Sequence, residues 1–188
     1  MPVIRPRYNE TMVIAVVSLA VFMADLDSSI VNISLPTIAA AFHVDLGMVS
    51  WVVMAYLLVL TGLMLAFGRL GDMLGLGRVF TAGLVLFTAG SLSCALSGSI
   101  GFLVASRVVQ GIGAAAILAI APALIVTCLP PERHGRALGI MMTVVSFAIA
   151  AGPILGGVPD GVCRLAVDLH HQCAGRDHGG GPSVPQYR

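Results

Sequence analysis

The stretch ADLDSSIVNISLP, residues 24 to 36, sets Asp25 and Asp27 inside an otherwise apolar run, and SRVVQGIG, residues 106 to 113, does the same with Arg107 and Gln110. Carboxylate and guanidinium groups in such surroundings can exchange protons, pair with one another or meet a charged solute. A carboxylate at the centre of a membrane helix costs on the order of 2.5 to 3.5 kcal/mol on insertion scales, so charge placed there points to a pathway, a partner or a water-filled cavity. Asp25 and Asp27 are two residues apart, about 200° around a helix, and cannot both face one cavity. One is expected to face protein and the other a watery seam or the helix end. Asn32 follows five residues after Asp27, and Pro36 marks where the helix is expected to end or kink. An interfacial cluster near the outer membrane face is the competing reading.

Arg107, Gln110 and Gly111 stand at i, i+3 and i+4 and share a helix face. Ala115 and Ala119 continue it with small side chains, which lets another backbone approach closely. Burial of Arg107 against a carboxylate or backbone carbonyls is the expectation, with a snorkelling arginine as the alternative.

The elements that must hold these groups are helices in lipid. The 188 residues are 57% hydrophobic and 10% charged, with a mean hydropathy of +0.97, too apolar for an ordinary soluble domain. Five apolar runs, at roughly 12–35, 48–67, 79–96, 100–126 and 137–155, each approach the ~20 residues that cross a ~30 Å hydrocarbon core. Backbone groups in lipid must be satisfied within the segment, so each run is predicted to be a helix. A cleaved signal peptide is disfavoured for the first run, because its apolar character continues past Asp27 and more spans follow.

All ten basic residues are arginine. Arg5 and Arg7, Arg69 and Arg78, and Arg133 and Arg136 occupy alternate connections, while FHVDLG and LSGSIG carry no basic residue. The positive-inside rule then puts the N-terminus (residues 1–10), the 68–78 loop and the 130–136 loop in the cytoplasm. No basic stripe with interleaved aromatics suggests nucleic acid. Cys94, Cys128, Cys163 and Cys173 have no CxxC spacing.

The loop GRLGDMLGLGR combines Gly68, Gly71, Gly75 and Gly77 with Asp72 between Arg69 and Arg78. A carboxylate there can cap a helix or pair with arginine, holding neighbouring helices until a conformational change parts them. In the fifth run Ala148, Gly152 and Gly156 repeat at i, i+4 and i+8 around Pro153, which suits either a tight seam or a hinge. Gly111-x-Gly113-x-x-Ala116 superficially matches a dinucleotide motif, but the strand and soluble βαβ unit that motif needs are missing. Absence of GxxxxGK[ST] leaves nucleotide-driven pumping unsupported, and no nucleophile and base pair or HExxH points to an enzyme.

Together these stretches resemble the major facilitator superfamily, and more narrowly its fourteen-span drug:proton antiporter branch of the EmrB/QacA type. LDSSIVNISLPTIAAAF is similar to that branch's first-helix signature through Asp27, Asn32 and Pro36. GRLGDMLGLGR resembles the family's loop between helices two and three through Gly68, Leu70, Asp72, Gly75 and Arg78. Met73 and the Leu76-Gly77 pair depart from the basic residues common there. RVVQGIGAA resembles the fourth-helix motif tied to proton coupling through Arg107, Gln110, Gly111 and Gly113. AGPILGG resembles the fifth-helix antiporter motif through Gly152, Pro153, Gly156 and Gly157. The resemblance implies an all-α membrane protein, with residues 11–157 a partial N-terminal bundle of about five spans. It implies proton-coupled efflux of small hydrophobic or cationic drug-like solutes by alternating access, from a bacterial-type inner membrane. The lipid bilayer and protons are then the partners, and no cofactor is expected.

After Gly157 the composition changes. Residues 158–188 are expected to be an irregular or disordered tail outside the family pattern, and Cys163, His170, His171, Cys173 and His178 have spacings that match no standard zinc finger. Back-translated and read one nucleotide later, GVCRLAVDLHHQCAGRDH can give YVGWRWIFTINVPVGIM, which resembles the segment after the fifth helix in the antiporter branch. A frame change near codons 156 to 160 is therefore expected, leaving a truncated chain inactive alone. A membrane assembly subunit that completes itself by oligomerising is the alternative.

Overall fold

Each apolar run becomes a helix in the computed structural model, which describes residues 10–156. The helices are α1 (Glu10–Phe42), α2 (Leu46–Leu74), α3 (Leu76–Ala95), α4 (Ile100–Cys128) and α5 (Pro131–Gly156). All five are long and apolar enough to cross a membrane. Polar chemistry sits at their ends: the Asp45 carboxylate accepts from the Gly47 N–H at 3.1 Å to start α2, and the Ser99 hydroxyl accepts from the Phe102 N–H at 3.3 Å to start α4. Within the spans, several hydroxyls are satisfied locally, whereas the buried Ser18 hydroxyl of α1 has no partner among the described residues. Thr61 donates to the Leu57 carbonyl at 2.8 Å, Thr88 to Leu84 at 2.8 Å and Ser146 to Met142 at 3.0 Å, so none of these needs water.

Three expectations about boundaries need correction. Pro36 does not end α1, which runs on to Phe42 and stops where His43 takes a φ of 52°. A proline removes one helical hydrogen bond, and the apolar sequence PTIAAAF that follows it still has no partner for its backbone but itself. The 68–78 segment is not a loop. Gly68, Arg69 and Asp72 belong to the last turns of α2, Arg78 lies in α3, and Gly75 alone separates the two helices, with a φ of 95° that a side chain would strain. Likewise Arg133 and Arg136 stand in the first turns of α5 rather than before it.

The core is built around α4. Its apolar window is 50% buried, against 17 to 28% for the other four helices. Small residues make this possible. A Cβ on Gly90 of α3 would stand 2.7 Å from the Gln110 Cα, one on Gly83 would stand 2.8 Å from the Ala116 Cβ, and one on Gly113 would stand 2.7 Å from the Gly83 carbonyl oxygen. On the other side, Gly111 brings α4 down on the backbone of Tyr56 in α2. A second seam joins α1 to α5, where the Ser29 hydroxyl donates to the Ile149 carbonyl at 3.2 Å and Gly152 leaves room for Ser29. Phe22 and Phe147 stack there at 6.4 Å between centroids. Large apolar side chains such as Leu19, Leu58, Leu65, Met73 and Leu92 remain exposed, as lipid-facing residues would.

Candidate ion-pair site among α1, α2, α3 and α4

Arg107 leaves α4 one turn below Gly111, in the tightly packed part of that helix, with only 3% of its side chain exposed. Its Nη1 donates at 2.6 Å to Asp27 Oδ2 on α1 and at 2.6 Å to Gln110 Oε1 one turn further along α4. Three residues separate Arg107 from Gln110, which is the spacing that stacks them on one face. The Tyr56 ring of α2 lies with its centroid 5.4 Å from the Arg107 Cζ, within cation–π reach. From α3 the Cys94 thiol donates to Gln110 Oε1 at 3.7 Å. Gln110 therefore accepts from two helices at once through its oxygen, while its Nε2 is buried with no partner among the described residues.

The chemistry of this arrangement follows from its burial. A planar, permanently charged guanidinium pulled from water keeps its charge and must be held by acceptors and a ring face. The carboxylate it meets is 25% exposed, so one end of the pair touches the outside of the bundle while the other does not. A pair so placed presents its carboxylate to the surroundings of the bundle while the guanidinium stays inside.

Other residues singled out by type lie elsewhere. Asn32 is exposed and spends its amide on the Ser28 carbonyl of its own helix at 3.0 Å. Asp25 is half-buried and makes no ion pair among the described residues. Asp72, Arg69 and Arg78 are exposed and make none either, and α3 starts at Gly75 without a side-chain cap, so the structure does not show Asp72 as a cap or as a latch on arginine. Gly113 packs on α3 whereas Gly111 packs on α2, so the fourth-helix glycines serve two different neighbours. Pro153 and Gly156 lie within α5; Gly157, the tail and the frame change lie outside the described residues.

A model of the Major Facilitator Superfamily matches residues 17–158. The chain belongs to the major facilitator superfamily. Similar family members include the riboflavin transporter RibZ of Clostridioides difficile, 40% identical over 146 residues, 78% of this chain and 32% of that protein. The multidrug resistance protein Stp of Mycobacterium tuberculosis is 36% identical over 153 residues, 80% of this chain and 28% of that protein. The tetracenomycin C resistance and export protein of Streptomyces glaucescens is 38% identical over 142 residues, 76% of this chain and 26% of that protein. The chain thus spans about a third or less of the length of these curated relatives. Five apolar helices in a major facilitator chain make it a multi-pass membrane protein.

Three contributors were missed by residue type alone. Tyr56 sits in an apolar run and carries no charge to draw notice; only its place over Arg107 gives it a role. Gly83 and Gly90 stand seven residues apart in α3, a spacing that puts both on one helix face and was a usable signal.

Proposed function

We propose that this chain is the N-terminal part of a proton-coupled multidrug efflux antiporter of the bacterial inner membrane, with its N-terminus in the cytoplasm, working by alternating access. The observation that supports it is the Asp27–Arg107 pair, with a part-exposed carboxylate facing a buried cation across two helices. Protonation of Asp27 removes one of the two charges and with it the attraction joining α1 to α4. That converts proton binding into a change in helix packing, the event alternating access requires. Moving one proton charge down ~100 mV releases about 2.3 kcal/mol, enough for a roughly fifty-fold gradient of a neutral solute. The similarity to Stp and to the tetracenomycin C export protein favours drug-like solutes; the similarity to RibZ favours a second reading in which the solute is a vitamin-sized planar molecule.

A rocking mechanism needs a second helical half, so the 188-residue chain alone is proposed not to transport, with a frame change near codons 156 to 160 as the cause. The family match running to residue 158, where the residue pattern changes, supports this. Uninterrupted DNA without a sixth span in any frame would remove it. The functional test uses the frame-restored protein in everted membrane vesicles, with an acid interior driving uptake of a cationic dye or of riboflavin. Proton-driven uptake of the dye is expected, with its loss in Asp27→Asn. Full coupled uptake by Asp27→Asn defeats the proton assignment, and uptake of riboflavin alone selects the second solute class.

A further inference from the structure

Three groups hold Arg107, and they differ in what a proton does to them. Asp27 loses its negative charge when protonated. The Gln110 amide and the Tyr56 ring do not change. We propose that Tyr56 is a positioning residue that keeps the Arg107 guanidinium seated on α2 in both charge states of Asp27, so that proton binding opens the α1–α4 contact without releasing the arginine. The proposal rests on the proton-binding reading of Asp27 and deepens it.

The geometry supports this from several directions. Tyr56 is 3% exposed, so its ring is fixed by packing rather than by chance contact, and it lies 5.4 Å from the Arg107 Cζ. Attraction between a cation and a ring face strengthens when both are desolvated, as they are here. The spacing of α2 and α4 at this level is set by backbone: a Cβ on Gly111 would stand 3.0 Å from the Tyr56 carbonyl oxygen. That close backbone contact holds α2 and α4 at the separation that seats the buried ring beside the guanidinium. In the plane of the guanidinium, Nη1 serves both Asp27 and Gln110, so loss of Asp27 leaves the Gln110 oxygen in place. The remaining titratable groups within electrostatic reach are Asp25 on α1 and Cys94 on α3. The titratable side chains of α5 among the described residues, from Glu132 to Arg136, lie at its start, away from this level of the bundle. Without the ring, a guanidinium freed from Asp27 would have one neutral oxygen to hold it and would swing toward water or another carboxylate.

The test uses the 188-residue chain, labelled with 15N-arginine and placed in lipid nanodiscs. Protons held over a ring face resonate upfield, so Arg107 is expected to show a ring-shifted guanidinium signal, identified by its loss in Arg107→Gln. Tyr56→Phe and Tyr56→Trp keep that signal. Tyr56→Leu abolishes it and speeds guanidinium hydrogen exchange by roughly tenfold or more. The deciding comparison is in Asp27→Asn, which removes the charge and keeps the shape. There the ring-shifted signal persists with Tyr56 and disappears when Tyr56→Leu is added. Loss of the signal in Asp27→Asn alone overturns the proposal, as does a Tyr56→Leu protein whose Arg107 signal and exchange match the wild type. Should Tyr56→Leu fail to fold, the Asp27→Asn arm with native Tyr56, and its Tyr56→Phe version, still decide. An α1–α4 distance, read between paired spin labels, that ignores acidification while the Arg107 signal still depends on Tyr56 defeats the proton reading itself, which distinguishes that failure from this one.

Discussion

α1 carries two carboxylates that reach arginines, and the two pairs behave as opposites. Glu10 pairs with Arg133 at the start of α5, with side chains 39% and 65% exposed, whereas Asp27 pairs with Arg107, about two turns into α4, at 25% and 3%. The two sites are seventeen residues apart on one helix, about 25 Å along its axis. Chemically they are the same interaction. Physically, the first is screened by water and salt and contributes little, while the second cannot lose one partner without stranding a charge. The difference teaches that position, not residue type, decides which ion pair can act as a switch.

The strongest way to break the comparison is to remove one partner inside. Asp27→Ala is expected to destabilise the chain by about 3 to 5 kcal/mol in detergent or nanodisc melts, because Arg107 stays buried and uncompensated. Adding Arg107→Met should recover most of that loss, since replacing both charges by apolar groups of similar volume is close to neutral. A double variant as unstable as Asp27→Ala would show that packing, not charge, is at stake. Next in size is the scaffold behind the inner pair. Gly90→Val pushes a side chain into the Gln110 backbone and is expected to cost about 1 to 3 kcal/mol in the same melts, with weakened Arg107–Gln110 contact. Outside, Arg133→Ala should cost no more than about 1 kcal/mol, and high salt should erase even that effect while leaving the effect of Asp27→Ala intact. Smallest of all, Gly135→Ala beside Arg133 meets nothing within 4 Å and is expected to stabilise α5 by about 0.5 to 1 kcal/mol.

How far the sequence carries these conclusions depends on the range of the forces involved. Spans follow from local hydropathy, and all five appear, with α4 within two residues of its expected ends at 100 and 126. Arg107, Gln110 and Gly111 could be grouped because helix periodicity is local too. Their link to Asp27, eighty residues earlier, rests on packing that periodicity cannot supply. Boundaries failed where polar residues lie at helix ends. GRLGDMLGLGR reads as a loop by its glycines and charges, yet its exposed face continues α2 and needs only Gly75 to turn. Pro36 does not end its helix for the opposite reason, since a lipid-spanning helix has no better alternative than to continue through it. Tyr56 was invisible because its meaning lies wholly in what another helix places against it, whereas the spacing of Gly83 and Gly90 marked a helix face without naming its partner.

That single residue between α2 and α3 leaves the hairpin no slack. A longer linker would let each helix tilt by itself and absorb the motion in its coils. Under the proposed rocking, a tilt of α2 would pass directly to α3, which is packed closely on α4 through Gly83, Gly90 and Gly113. Lengthening the turn at Gly75 would therefore act as a clutch, leaving each helix intact while disconnecting their movements.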